Sequence, residues 1–175
     1  MTDPGSSPDS LQVRRRRWTR WLWIPVLLVA LAAAAWWRTH PSDLPTSDRA
    51  VTGEIKVGQT LYLGVPAAAD PSRTISIDDV DLKVTSSPSQ DVEVSLWVCS
   101  GGSIGQTTTP ERFCEGWHRA PGRDVELGGG DALVLGVRGT QAGTVTVERI
   151  TVEFGDGLQR GSSRIGAPIT VQILG

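Results

Sequence analysis

Apolar residues are distributed in two different ways along this chain. From Trp21 to Trp37 they form a run of seventeen uncharged residues, WLWIPVLLVALAAAAWW, closed by Arg20 and Arg38. Beyond Val51 they alternate with polar residues instead. The first pattern predicts a helix that is apolar on all sides, the second β-strands with one buried face. Residues 54–57 lead through Gly58 into a second strand at 60–63. Ile75 and Ile77 alternate, then Val80, Leu82 and Val84 do, and the change of parity at Asp78-Asp79 predicts a bulge. Val92, Val94, Leu96 and Val98 mark the clearest strand, with Glu93 and Ser95 on its other face. Further strands are predicted at 124–127, 132–137, 144–154 and 169–174. In the long one Val145 and Val147 give way to Ile150, Val152 and Phe154, which predicts a second bulge near Glu148-Arg149. Gly128-Gly129-Gly130, Gly139, Gly143 and Gly155-Asp156-Gly157 read as turns between these runs. No stretch after residue 38 keeps a helical period. Seven to nine short strands at this spacing predict an all-β, two-sheet antiparallel sandwich with a single core.

The uncharged run has the dimensions of a membrane span. Seventeen helical residues reach about 26 Å, and about 30 Å when Trp18 to Arg20 are included. Pro25 is placed in the first turn, where its missing N–H costs little. Trp18, Trp21 and Trp23 flank one end and Trp36 and Trp37 the other, which is where indole rings settle at the headgroup level. Arg14, Arg15, Arg16, Arg17 and Arg20 precede the run, and only Arg38 and Arg49 follow closely. This asymmetry predicts a cytoplasmic N-terminus and an extracytoplasmic C-terminal domain. Ala33-Ala34-Ala35 offers an alternative, signal-peptide cleavage near Ala35, which would release the same domain; Trp36-Trp37 directly afterwards favours an uncleaved anchor. Trp18-Thr19-Arg20 is a poor continuation of a twin-arginine signal from Arg16-Arg17, and no cysteine precedes Cys99 to serve as a lipoprotein site. The resulting organisation is a disordered basic cytoplasmic tail (1–17), a transmembrane helix (18–37), a stalk (38–50) containing Pro41 and Pro45, and a β-sandwich (51–175).

Charge follows the same division. The net charge of −2 conceals a basic N-terminus, five arginines against Asp3 and Asp9, and an acidic remainder with twelve basic and seventeen acidic residues. A basic run beside a membrane helix reads as topology, and an acidic domain is poorly suited to nucleic acid. The bilayer is therefore one expected partner, an envelope protein or wall component the other, and no cofactor or metal is called for. Fifteen arginines against two lysines, and no asparagine, fit a GC-rich coding sequence. Without asparagine, turns needing positive φ fall to the twenty glycines. Cys99 and Cys114, both in the segment expected outside, predict a structural disulfide worth about 3 kcal/mol in the chain-entropy model.

Few residues suggest chemistry. Gly101-Gly102-Ser103-Ile104-Gly105 matches G-x-S-x-G after a strand, but Thr107-Thr108-Thr109-Pro110 cannot open the helix a nucleophile elbow needs. A small hydrolase would have to use Ser103 with His118, the only histidine besides His40. Asp78, Asp79 and Asp81 could collect Ca²⁺, although charges on a strand edge also discourage edge-to-edge pairing. Arg112, Arg119 and Arg123 read as surface charge or as partners of Glu111 and Glu115. Trp97, Phe113, Trp117 and His118 lie in or beside the disulfide loop. They suit either a partner surface or a local mini-core around the disulfide, the second being favoured because a long loop needs something to bury.

The stretch from Pro121-Gly122 through Leu133-Val134-Leu135-Gly136-Val137 to Gly143-Thr144-Val145 and Phe154-Gly155-Asp156-Gly157-Leu158-Gln159-Arg160-Gly161 resembles uncharacterised actinobacterial envelope proteins. Those proteins carry an N-terminal membrane anchor and an Ig-like β-sandwich ectodomain. The resemblance implies fold and location and brings no catalytic residue with it. The expectation is a non-enzymatic, single-pass membrane protein displaying a β-sandwich as an interaction or accessory module.

Overall fold

The computed structural model describes residues 19–44, 46–47, 49–67 and 72–175, with side chains from Trp23 onward. The expected tail, Arg14 to Arg17 and Trp18 lie outside the described residues, as do the side chains of Arg20 and Trp21. Residues up to Trp36 and the segment Trp37–Gly175 form separate compact units.

Helix α1 (Thr19–Thr39) is 21 residues long. It starts earlier than the uncharged run, so Pro25 falls in its second turn and removes one backbone hydrogen bond there. Every described side chain of α1 is exposed. Among the described residues no helix is long and apolar enough to cross a membrane. The uncharged part with described side chains, 23–37, reaches about 22 Å at 1.5 Å per residue.

The second unit is built of eleven strands among the described residues: β1 (Val51–Lys56), β2 (Thr60–Val65), β3 (Arg73–Ser87), β4 (Val92–Ser100), β5 (Gln106–Thr107), β6 (Gly116–Arg119), β7 (Arg123–Leu127), β8 (Ala132–Gly139), β9 (Gly143–Asp156), β10 (Gln159–Ile165) and β11 (Ile169–Leu174). They form two sheets, β1-β11-β9-β3-β7 with β10 also on β9, and β5-β2-β8-β4-β6. Among the pairs of named strands, β1 and β11 run parallel and the others antiparallel. The strand count exceeds the seven to nine expected because β5, β6 and β10 have no apolar alternation to announce them.

The Ig-like expectation is corrected by the order of the strands. An immunoglobulin domain keeps its A and B strands, and its D and E strands, in one sheet. Here the steps β1 to β2, β2 to β3, β3 to β4, β6 to β7, β7 to β8 and β8 to β9 all change sheet. That is the order of a jelly roll, to which the β10–β11 segment adds strands on the free side of β9. Alternation in a sequence assigns faces within a strand; it carries no information on which sheet the strand joins.

The core lies between the sheets. Leu61, Leu63, Leu96, Val98, Leu133, Leu135 and Val137 face Ile75, Ile77, Val125, Val145, Val147, Ile150, Val152, Phe154, Ile169 and Val171, all buried. Both expected bulges are present in the β3/β9 ladder, at the register shifts between Ile77 and Asp79 and between Lys83 and Val84. The extra residues are Asp78 on β3 and Glu148 on β9. Each insertion offsets the change of parity, so Ile77, Val80 and Leu82 meet Phe154, Val152 and Ile150 on one face. Among the described residues, positive φ occurs only at glycine.

Part of the segment read as a semi-extended stalk packs on the domain. Leu44 is buried in the core, and its N–H donates to Ser163 Oγ at 3.1 Å. Thr46 bridges to Gly166, whose carbonyl accepts from the Ser47 N–H at 2.9 Å. The reason lies in β10, whose positions paired with Phe154 and Val152 are only Gly161 and Ser163. These small residues leave room for other side chains, and Pro41 and Leu44 supply them: a Cβ on Gly161 would meet Pro41 Cγ.

Candidate functional site

Trp97 on β4 and Trp117 on β6 point to the outer face of the five-stranded sheet, because Cys99 pairs with Trp117 and Trp97 with Arg119. Their rings stack with centroids 5.1 Å apart and planes 7° from parallel. Tyr62 from β2 stands edge-on to both, 5.3 Å from Trp117 and 6.4 Å from Trp97. These are the offset-stacked and edge-to-face arrangements that the ring quadrupole favours, each worth about 0.5–1.5 kcal/mol beyond buried area. The Arg119 guanidinium lies 5.2 Å from the Trp97 centroid and 3.9 Å from Glu93. Read as surface charge or as a partner of Glu111 and Glu115, Arg119 is exposed and its carboxylate partner is Glu93. The Trp97 indole N–H donates to Ser95 Oγ at 2.9 Å. Gly136 makes this closure achievable, since a Cβ there would sit 3.0 Å from Tyr62 Cε1 and 3.2 Å from Trp97 Nε1. Partial burial pushes the Tyr62 phenol above its ordinary pKa, and the charges of Glu111 and Glu93 add to the effect.

The cluster continues under the disulfide loop. Cys99 and Cys114 are bonded, with Cα atoms 5.2 Å apart. Between them the chain crosses to the far edge of the sheet, pairs as β5 with β2 and turns back through Pro110–Arg112; β6, directly after Cys114, then pairs with β4. The traverse buries Cys99, Val134 and Ile104, against which Tyr62, Trp97, Cys114, Trp117 and Ala132 pack. Gly64 and Gly102 permit the close approach, as a Cβ on either would collide with the carbonyl oxygen of Ile104 or Phe113. A second, smaller core therefore sits on the outside of the sandwich.

The four residues read as one candidate surface divide three ways. Trp97 and Trp117 are partly buried in the second core. Phe113 is 53% exposed on the loop. His118 is exposed and alternates to the side opposite Trp117, paired with core-facing Val98. Tyr62 and Gly136 were not singled out by sequence; the available signals were a tyrosine between Leu61 and Leu63, and a glycine inside the apolar run of β8.

Ser103 lines a cleft of about 930 Å³ together with Gly64, Val65, Ile104, Asp131 and Leu133. His118 is absent from that lining. Asp78 is ion-paired with Arg160, while Asp79 and Asp81 lie on the outer face of β3 opposite Glu153 and Thr151. Among the described residues no three His, Cys, Asp or Glu side chains are grouped to hold a metal ion. Trp23, Trp36 and Trp37, read as membrane-interface residues, are exposed on α1. In comparisons with known proteins, no family model and no curated protein matches this chain.

Proposed function

We propose that this is a non-enzymatic, single-pass cell-envelope protein whose α1 lies in the membrane, with the N-terminus cytoplasmic and the jelly-roll domain outside as an interaction module. The observation that carries the reading is the exposure of α1, where Trp23 is 72%, Val29 69% and Trp36 63% exposed. A helix apolar on all sides gains stability from an apolar medium, not from water. Trp21 and Leu22 extend the uncharged run toward Arg20 and bring its length near the hydrocarbon thickness. The arginines before the run support the orientation, and the Cys99–Cys114 bond fits an oxidising compartment outside. The exposed Phe113 and the open cleft near Ser103 supply surface for an envelope protein or wall component.

Alkaline carbonate extraction combined with protease treatment of intact cells tests the assignment. The chain should remain in the membrane pellet, and the jelly-roll domain should be cleaved from outside. Release into the carbonate supernatant would remove the anchor. A mature chain beginning at Trp36 in the medium would replace anchoring with secretion of the same domain.

A further inference from the structure

We infer that the β9–β10 hairpin tip, centred on Leu158, is a second membrane contact that rests on the headgroup layer of the outer leaflet. This rests on the proposal that α1 is the anchor. Leu158 occupies the turn between β9 and β10, where Gly157 adopts φ 57°, and it is 68% exposed. A leucine so exposed at a tip contributes nothing to the core of its own domain.

The segment from Trp37 onward, in the same compact unit as the tip, fixes the tip's distance from Trp37. Gln159 Nε2 donates to the Trp37 carbonyl at 2.8 Å. Pro41 lies on Gly161, the Leu44 N–H reaches Ser163, and Ser47 reaches Gly166. Trp37, Pro41, Leu44 and Ser47 thus meet β10 and its continuation in order from the tip to beyond the base. A glutamine side chain and one Cα step of 3.80 Å put Leu158 within about 13 Å of the Trp37 carbonyl. The headgroup region is on the order of 6 Å deep on each side of the hydrocarbon. When Trp37 is at the interface, Leu158 therefore lies no more than about 7 Å beyond that layer.

Charge near the tip is compatible with an anionic leaflet. Asp156 is ion-paired with Arg73 at 2.8 Å and Asp78 with Arg160, so the charge of each of these two carboxylates is opposed. The exposed apolar residues Val57 and Leu174 lie at the other end of the sheet, where the Val57 N–H donates to the Leu174 carbonyl. The fourteen residues of β9 separate the two ends by about 45 Å at 3.3 Å per residue.

The chain has no free cysteine, so Leu158→Cys provides a single thiol in the full-length, disulfide-bonded protein. That variant, labelled with an environment-sensitive fluorophore, is reconstituted into equimolar phosphatidylcholine and phosphatidylglycerol vesicles, with Val57→Cys as the distant control. A lipid carrying a spin label on its headgroup should quench most of the emission at position 158 and leave position 57 bright. Equal emission at both positions, in protein that floats with the vesicles, overturns the hairpin contact alone. Failure to float overturns the anchor and the contact together.

Discussion

Helix α1 and the sandwich treat the same kinds of residue in opposite ways. Ile24, Val26, Leu27, Leu28, Val29 and Leu31 are exposed, whereas Leu63, Ile75, Ile77 and Leu135 are completely buried. The difference traces to pattern. An alternating strand has a dry face and a wet face and can satisfy both by pairing with a second sheet. An unbroken apolar run has one kind of surface all round, so its surroundings must be uniform. The largest effect on this difference is expected from Leu28→Arg with Ala32→Arg. Arginine at a helix centre costs about 2.5–3.5 kcal/mol in a bilayer, so carbonate extraction should release the double variant. The unfolding temperature of the jelly-roll domain should not move. A fall in that temperature would mean that α1 supports the domain's own fold, and the contrast between the two regions would collapse.

Within the domain the main core and the second core can be compared in the same way. Phe154 is buried between the sheets beneath the Arg73 guanidinium, 5.4 Å from its ring centroid. Phe154→Ala should destabilise the domain by about 3–5 kcal/mol in denaturant unfolding, from lost burial and the cavity left behind. Replacing both Cys99 and Cys114 with alanine should cost about 3 kcal/mol, because the bond closes a sequence separation of 15. The loss should come with greater protease sensitivity between residues 100 and 113 and little change in the β3/β9 ladder. Two free thiols in the purified wild-type chain would contradict the crosslink on which the second core depends.

The parts legible in the sequence were those governed by neighbours along the chain. Parity changes at Asp78 and Glu148 marked both bulges, because only one inserted residue keeps Ile77 and Val80, or Val147 and Ile150, on one face. The cysteine pair and the use of glycine at positive φ were equally local inferences. What escaped was decided between distant segments. The jelly-roll order depends on which sheet receives each strand. Strand β10 reads as a polar loop because Gly161 and Ser163 leave their core positions to Pro41 and Leu44, more than a hundred residues earlier. The aromatic cluster was half visible: Trp97 and Trp117 stood out beside the disulfide, while Tyr62 joins them only through the pairing of β2 and β4 with β8. His118 fell outside it for a reason of period two, one residue placing it on the other side from Trp117.

The smallest expected effect tests the bulge in β9 rather than a core. Glu148, the inserted residue, accepts a hydrogen bond from Thr85 Oγ1 at 3.2 Å and is ion-paired with Lys83. The hydrogen bond from Lys83 leads in holding its carboxyl below the ordinary glutamate pKa, followed by that from Thr85 and the Lys83 charge. A carboxyl depressed in the folded state is harder to protonate there than in the unfolded chain. Its contribution to stability is therefore present above the ordinary value of about 4.3 and is lost as pH falls through the lower folded value. Glu148→Gln should remove that acid-side dependence from a series of unfolding temperatures and leave the rest of the pH profile unchanged. Both side chains are well exposed, so the difference should be slight and should shrink further in high salt. A salt-independent loss as large as that from the disulfide would show that Glu148 holds the bulge in place structurally. The polar outer face of the six-stranded sheet would then share with the two cores in specifying the fold.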